Sequence, residues 1–305
     1  MHHEPLRGLI AAAYTPFNAD GSLRIEAIEQ QAEHFLRNRL SAVFITGTTG
    51  ENHSLTADER RRVATRWVEV TRGTPLRVIV HVGGNCLVEA GELATHAQQA
   101  GAFGIAAMAP SYFKPADLET LIAGTAQVAA NAPELPFYYY DIPVMTGVKL
   151  SAAQFLERAT DRIPTLGGVK FSNPDLAELQ LCLAAAGPER MVAWGIDEAL
   201  LAVLALGVTS AVGSTYNFAA PIAHRLLAAF ENGDAGQARI EQLRLVRLVQ
   251  TLSRHGYMAA SKAVMKLLGI DLGSTRLPLP ALPPSGIDAV QRDLQALGFF
   301  DWLRP

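Results

Sequence analysis

Short runs of apolar, β-branched and aromatic residues recur along this chain, and stretches with apolar residues at helical spacing separate them. Successive runs begin 34, 35, 27, 32, 30, 25 and 18 residues apart. That spacing leaves room for a crossover helix between parallel strands. The pattern therefore predicts eight βα units, with strands at residues 8–14, 42–45, 77–82, 104–108, 136–140, 166–171, 191–194 and 209–212.

Eight consecutive βα units predict an α/β fold, a (β/α)8 TIM barrel, over residues 1–220. After the last predicted strand the apolar spacing becomes purely helical. Helices are expected at residues 221–231, 235–255, 261–268 and 286–297, with Gly256 as a stop signal and a proline-rich passage before the last helix. We therefore expect residues 221–305 to form a C-terminal helical extension, and the barrel to carry the active site.

Composition narrows the classes of protein that fit. The chain has 305 residues, of which 49% are hydrophobic, so it can bury a large core. Its net charge is −3 and it has no basic run, which argues against a nucleic acid partner. No apolar stretch reaches membrane-spanning length. Cys86 and Cys182 lie far apart without metal-ligand spacing, and the first residues do not resemble a signal peptide. We expect a cytoplasmic protein that binds neither nucleic acid nor membrane.

One lysine stands at the end of a predicted buried strand. Lys170 lies in Gly-Gly-Val-Lys-Phe-Ser, residues 167–172. Lost hydration disfavours a charged amine, so its pKa falls and a free amine exists near neutral pH. A free amine can attack a ketone to form a Schiff base. By position alone, a side chain that reaches the surface or forms a salt bridge is the more common case, and the residues at the other strand ends reverse that preference. Lys149, beside a predicted helix start, is expected to be solvated.

Polar residues follow several other predicted strands, and the carboxyl ends of barrel strands carry active sites. Residues 46–51 read Thr-Gly-Thr-Thr-Gly-Glu, whose amides and hydroxyls fit a carboxylate or phosphate, although such a turn is also common as plain geometry. Tyr140 ends the fifth strand and shares a face with Tyr138, while Tyr139 faces the other way. Residues 194–198 bring two acids and residues 213–218 bring hydroxyls. Together these groups predict a site for carbonyl chemistry.

The histidines show no metal-ligand spacing, and the chain carries no dinucleotide fingerprint or phosphate-binding loop motif. His81, on the third predicted strand, is expected to be a hydrogen-bonded core residue, and His53 a surface residue. We therefore expect an enzyme without a metal or an organic cofactor.

Four motifs now carry a family resemblance: Gly-Thr-Thr-Gly-Glu (47–51), Tyr-Asp-Ile-Pro (140–143), Gly-Val-Lys-Phe-Ser (168–172) and Gly-Ser-Thr-Tyr-Asn (213–217). In this order and spacing they resemble the pyruvate-dependent class I aldolases that include N-acetylneuraminate lyase and dihydrodipicolinate synthase. The resemblance runs from Arg7 to about residue 270. Within the family it is greatest to the N-acetylneuraminate lyase branch, through Leu-Pro-Phe-Tyr-Tyr-Tyr (135–140) and Thr-Gly-Val-Lys (146–149).

The resemblance implies a role for each matching residue. Lys170 would form the Schiff base and Tyr140 would transfer the proton, while Thr48 and Thr49 would hold the pyruvate carboxylate. The residues lining the sugar side would be Ser172, Gly195, Asp197, Glu198 and Ser214. Tyr112 would reach into the site of a neighbouring subunit in a homotetramer.

The implied reaction is cleavage of N-acetylneuraminate to N-acetylmannosamine and pyruvate, with a small keto acid as substrate. The related synthases carry an arginine after the Tyr-x-x-Pro turn, whereas residues 144–146 here read Val-Met-Thr. This departure argues against a dihydrodipicolinate synthase. Two alternatives stay open, namely another sugar-acid aldolase or dehydratase of the 2-keto-3-deoxygluconate type, and a non-catalytic sugar-acid sensor.

Overall fold

A closed barrel of eight parallel strands forms the centre of the protein, as seen in a computed structural model that describes residues 5–304. Strand order follows chain order, and β1 pairs with β8 to close the ring. The strands are β1 Gly8–Ala12, β2 Ala42–Ile45, β3 Arg77–His81, β4 Gly104–Met108, β5 Phe137–Asp141, β6 Leu166–Phe171, β7 Met191–Trp194 and β8 Ser210–Gly213. The predicted TIM barrel is confirmed.

The observed strands follow the predicted runs closely. β2, β4, β6 and β7 have the predicted bounds, whereas β1 and β3 end earlier than expected. β5 starts one residue late because Pro136 has no amide hydrogen for the ladder, and Phe137 N makes the first bond, to Thr165 O at 2.8 Å. β8 is likewise shifted by one residue.

Helices cover the outside of the barrel. They are α1 Ala27–Arg37, α2 Ala57–Thr71, α3 Leu87–Ala100, α4 Leu118–Ala129, α5 Pro143–Thr146, α6 Ala152–Arg158, α7 Leu176–Ala186, α8 Leu200–Leu204, α9 Tyr216–Glu231, α10 Ala235–Arg254, α11 Tyr257–Leu267, α12 Pro284–Leu297 and α13 Phe299–Trp302. Short 3-10 turns lie at Asn52–Ser54, Gly187–Glu189 and Asp197–Ala199. α2 begins with a capping box, in which Thr56 and Glu59 satisfy each other's backbone amides.

Alternating side chains divide the core into two parts. Inward-facing residues fill the barrel, and they include Phe44, Ile79, Tyr138, Tyr140 and Val212. Outward-facing residues pack against the helices in a second, larger cluster that includes Tyr139. The predicted separation of Tyr138 and Tyr140 from Tyr139 is confirmed.

The C-terminal helices share the outer core. Leu245 on α10, Val264 on α11 and Leu294 on α12 belong to the same buried cluster as the barrel's outer face. α9 starts at Tyr216, five residues before its predicted start, and its backbone departs from helical geometry at Ala219, just before Pro221. Helix α9 therefore crosses residue 220, and the division there stays a prediction.

Within residues 5–304, no helix has both the length and the apolar character that a membrane crossing requires.

Candidate active site

Lys170 and Tyr140 are cross-strand neighbours at the carboxyl ends of two paired strands. The register of β5 and β6 places Tyr140 opposite Lys170, so both side chains face the barrel interior. The Nζ atom of Lys170 lies 4.0 Å from the ring centre of Tyr140 and 3.9 Å from that of Phe44. The structure therefore brings the predicted amine and phenol into contact.

Burial changes the pKa of the Lys170 amine. Lys170 is 4% exposed, and burial lowers the pKa of its amine, while Tyr140 and Asp197 nearby act in the opposite direction. A lysine shielded from water in this way holds a larger fraction of neutral amine than an exposed one. Lys149 and His53, expected to be solvated, are exposed.

Two aromatic rings hold Tyr140 in place. Phe44 meets it edge-on with ring centres 5.6 Å apart, and His81 does so at 5.8 Å. His81 is fully buried and lies 3.0 Å, through Nδ1, from Thr46 O, while its Nε2 accepts from Met108 N at 3.3 Å. Since Nε2 accepts, Nδ1 carries the proton and the ring is neutral. Burial also lowers the pKa of His81. His81 is the hydrogen-bonded core residue that we expected.

The loop after β2 approaches the phenol. Thr48 Oγ1 lies 3.4 Å from the Tyr140 hydroxyl, and both Thr48 and Thr49 are partly accessible. Glycine is required at position 50, where a Cβ atom would lie 2.9 Å from Thr46 N. Thr15 Oγ1 donates to Gly50 O at 2.7 Å. The loop is thus tightly folded, with the Thr48 hydroxyl beside the phenol of the Lys170–Tyr140 pair.

Ser172 and Gly195 lie side by side where β6 and β7 end. The ladder continues past the strands, because Gly195 N donates to Phe171 O at 2.8 Å. A Cβ atom on Gly195 would fall 2.0 Å from Ser172 Oγ. The absence of a side chain at position 195 therefore leaves the serine hydroxyl room at the barrel mouth.

Asp197 lies on the same side of the barrel as Ser214. One Asp197 oxygen accepts from Thr215 N at 2.8 Å, and the other would touch a Cβ atom on Gly213. Burial raises the pKa of Asp197 to about 6. Glu198, its neighbour, is exposed. Ser214 Oγ lies 2.7 Å from the hydroxyl of Tyr257.

Tyr112 is the predicted site residue that the structure places apart from the others. It lies in the loop after β4, 78% exposed, with its ring 5.0 Å from that of Phe113. Its backbone amide donates to Asn85 Oδ1 at 3.0 Å. Its contacts within the described chain are with Phe113 and Asn85, so its implied role at the site of a second subunit stays a prediction.

Two residues near the site escaped the sequence reasoning. Tyr257 opens α11, and Lys262 lies one and a half turns further along that helix. Lys262 is 1% exposed although the helix reads as an amphipathic segment. The burial of Lys262 could have been predicted from its apolar sequence neighbours, which are Ala259, Ala260, Ala263 and Val264.

Among the residues that the structure describes, no group of three or more histidine, cysteine, aspartate or glutamate side chains is arranged to hold a metal ion.

Comparison with known proteins places this geometry in a family. The profile of the dihydrodipicolinate synthetase family matches residues 5–297. An N-acetylneuraminate lyase of Mus musculus is 40% identical over 299 residues, covering 96% of this chain and 93% of the mouse protein.

Solved structures agree. The Proteus mirabilis N-acetylneuraminate lyase has a TM-score of 0.94 and 37% identity, covering 97% of this chain and 99% of the other. A dihydrodipicolinate synthase from Cyanidioschyzon merolae has a TM-score of 0.88 and 28% identity, covering 95% of this chain and 97% of the other. The chain belongs to the dihydrodipicolinate synthetase family.

Proposed function

We propose that this protein is a class I aldolase that cleaves N-acetylneuraminate to N-acetylmannosamine and pyruvate. The observation that carries the proposal is the contact between the buried Lys170 amine and the Tyr140 ring, with Thr48 beside the phenol hydroxyl. A nucleophilic amine next to a proton-transfer group is what Schiff-base cleavage requires. Similarity to N-acetylneuraminate lyases over nearly the whole chain supports the choice of substrate.

Substrate binding begins at the threonine loop. The open-chain keto acid places its carboxylate against the amides and hydroxyls of residues 47–50, with Thr48 and Thr49 as donors. This position sets the neighbouring C2 ketone next to Lys170. The other end of the substrate lies toward Ser172, Gly195, Asp197, Glu198 and Ser214, where hydroxyl and carboxylate groups suit a polyol.

The neutral Lys170 amine then attacks C2, and loss of water leaves an imine. Its protonated form withdraws electrons from the C3–C4 bond. The Tyr140 phenol gives its proton to the hydroxyl that leaves as water during imine formation. The resulting phenolate takes the proton from the C4 hydroxyl as the C3–C4 bond breaks, which releases N-acetylmannosamine and leaves an enamine. Proton return to C3 and hydrolysis of the imine release pyruvate and restore Lys170.

The segment after Tyr140 argues for an uncharged partner aldehyde. Val144 and Met145 are exposed and Thr146 is buried, so no cation occupies residues 144–146. An aldehyde carrying its own carboxylate would find no cationic side chain within this turn. The cytoplasmic location and the homotetramer, in which Tyr112 reaches a neighbouring site, form part of the same proposal.

A trapping experiment tests the Schiff base. Borohydride added with pyruvate reduces the imine, and mass spectrometry then locates the pyruvyl adduct. We expect a single adduct at Lys170, no adduct in Lys170→Ala, and full labelling in Lys149→Ala, which removes an exposed lysine. Labelling that persists in Lys170→Ala would assign the amine elsewhere.

A substrate panel separates the alternatives. Pyruvate release from N-acetylneuraminate, with slower release from 2-keto-3-deoxygluconate, supports the proposal. Faster turnover of the deoxy-keto acid would favour a different sugar-acid aldolase or dehydratase. Ligand-induced thermal stabilisation without pyruvate release would instead identify a sensor.

A further inference from the structure

A buried ion pair joins the threonine loop to the C-terminal helices. Glu51 ends the loop and Lys262 lies on α11, and their side chains are 0% and 1% exposed. Lys262 Nζ lies 2.8 Å from Glu51 Oε1 and donates to Ser274 O at 2.8 Å. Burying two charges is costly unless each is paired and hydrogen-bonded. Apolar residues of similar volume at these two positions would stabilise the fold equally well, so stability alone does not explain why charged residues occupy them.

Backbone strain marks both ends of the same loop. Thr46 has φ +51 and Glu51 has φ +56, in the left-handed region that non-glycine residues rarely adopt. In the described part of the chain, Arg39 is the other non-glycine residue with positive φ. Residues held in such conformations persist when their surroundings fix them, and they concentrate at functional sites.

Each strained end has its own anchor. At the first end, Thr46 Oγ1 donates to His81 O at 2.8 Å, and the His81 ring bonds Thr46 O. At the second end, Lys262 takes one oxygen of Glu51, and Arg276 N donates to the other at 2.9 Å.

Arg276 ties this second anchor to the barrel. Its guanidinium bonds both oxygens of Glu59, on α2, and Nη1 also donates to Ser54 O at 2.9 Å. The ring of Phe17 lies 4.4 Å from Lys262 Nζ and 4.2 Å from Arg276 Cζ. The anchor is therefore a packed network on rigid elements and not a single contact.

The anchor connects to the reacting groups in two steps. Glu51 N donates to Thr48 O at 3.0 Å, and Thr48 Oγ1 lies 3.4 Å from the Tyr140 hydroxyl. Displacing Glu51 would therefore shift Thr48, which contacts both the proposed carboxylate position and the phenol.

We propose that Glu51 and Lys262 are positioning residues, whose buried pair holds the threonine loop in the geometry that receives the substrate carboxylate. The inference rests on the proposed function, because it assumes that residues 47–50 bind that carboxylate. The carboxylate takes no part in bond cleavage, so weaker donors at residues 47–50 weaken binding of the ground and transition states alike and the effect falls mainly on KM.

Glu51→Gln, Lys262→Met and the double variant test this role. Each should raise the KM for the keto acid, and the half-saturating pyruvate concentration in borohydride trapping, by about tenfold, as loss of a charge-assisted hydrogen bond implies. The kcat should change less than about threefold. The double variant leaves no unpaired buried charge, so its stability should recover while KM stays high.

Two matched controls separate positioning from general destabilisation. Glu241→Gln removes the charge of another buried glutamate, on α10, which pairs with Arg225 at 3.0 Å and Arg244 at 2.8 Å, away from the loop. Lys266→Met removes an exposed lysine from α11. Both should leave KM unchanged, although Glu241→Gln should lower stability. An equal rise of KM in Glu241→Gln would overturn the positioning role, as would an unchanged KM in the double variant.

Amide hydrogen exchange gives a readout independent of turnover. Exchange at residues 47–51 should accelerate in Glu51→Gln and Lys262→Met and stay unchanged in Glu241→Gln. Unchanged exchange in all three would contradict the anchor. If the wild type trapped pyruvate but cleaved no N-acetylneuraminate, the substrate assignment would fail, and the trapping curves would still decide the inference. If it trapped no pyruvate, both proposals would fall.

Discussion

The ring of Tyr140 is held between Phe44 and His81, so its hydroxyl has a defined direction even before substrate binds. Removing the hydroxyl alone keeps those ring contacts. In Tyr140→Phe we expect kcat to fall by about 10²- to 10⁴-fold, the usual contribution of a general acid–base group. Borohydride trapping of pyruvate should persist, since imine formation uses Lys170. Steady-state kinetics and trapping on the same sample check both statements.

Tyr139→Phe is the matched control for that variant. Tyr139 neighbours Tyr140 but faces outward and packs on Phe155, with ring centres 4.6 Å apart. Its kcat should stay near that of the wild type. A kcat near wild type in Tyr140→Phe itself would assign proton transfer to another group.

Asp141 gives a prediction about pH and stability. It is 2% exposed, and burial, opposed by a hydrogen bond from Asn173 and reinforced by the charge of Glu178, raises its pKa from 3.8 to about 6. The folded state therefore holds the proton more tightly than the unfolded state. It follows that the free energy of unfolding falls as pH rises from about 4 through 6.

Asp141→Asn removes this titration. Its free energy of unfolding should match the wild type below pH 4 and exceed it above pH 7, by at most about 3 kcal/mol. Urea denaturation at pH 4 and pH 7.5 measures the difference. Asp161→Asn, at an exposed position, is the control for replacing an aspartate as such. A constant difference across pH would mean that the aspartate does not titrate in this range.

For single residues, the sequence predicted those site positions that follow from the alternation of side chains along a strand and from where each strand ends. Lys170 and Tyr140 follow from alternation along two strands whose ends meet in any closed parallel barrel. The contact between Ser214 and Tyr257 joins residues 43 apart in the chain, through a helix whose packing no local pattern reveals. Lys262 was missed for the same reason.

At the scale of elements, two glycines set the register of β6. The pairing of β5 and β6 shifts between Phe137 and Tyr138, opposite Gly167 and Gly168. Gly168 has φ +137, and a Cβ atom there would lie 1.9 Å from Met191 O. The irregularity decides which β5 residue faces Lys170, so the pairing of Tyr140 with Lys170 depends on a position that tolerates no side chain.

Gly168→Ala should therefore destabilise the protein by at least about 2 kcal/mol, since both backbone strain and a steric clash oppose it. Urea denaturation measures the loss. Gly236→Ala, at an exposed position in α10, is the control and should be neutral or slightly stabilising. Equal stabilities for the two variants would contradict this account of β6.

The strands were more predictable than the helix starts. Apolar runs located all eight strands to within two residues at each end, because burial on both faces leaves a continuous signal. Helix α9 begins inside the polar motif at residues 213–217, where the residues do not show the apolar spacing by which a helix is predicted. The single turn α5 was also missed, since four residues carry no period.

On the surface of the molecule, one group of large apolar side chains is exposed to solvent. It comprises Tyr112, Phe113, Val144 and Met145, which are 78%, 85%, 82% and 60% exposed. Lys114 follows Phe113 and approaches the loop that carries Val144 and Met145. A Cβ atom added to Gly147 would lie 3.0 Å from Lys114 Cε. Contiguous exposed apolar side chains are typical of subunit contacts.

Phe113→Asp should therefore reduce the proposed homotetramer to smaller species, since a charge at the centre of an apolar contact opposes association. Sedimentation velocity at several protein concentrations measures the change. Leu277→Asp, at an equally exposed leucine between α11 and α12, should leave the assembly intact. An unchanged sedimentation coefficient in Phe113→Asp would locate the contact elsewhere.

The hydrogen bond from Arg276 N to Glu51 joins residues 225 apart in the chain. During translation at about 5–20 residues per second, the acidic side chain is made some 11 to 45 s before its amide partner. The barrel also cannot close until β8 has been synthesised, because β1 pairs with β8. If Glu51 positions the threonine loop as proposed, a nascent chain that ends before Arg276 would bind the keto acid poorly even with all eight strands made.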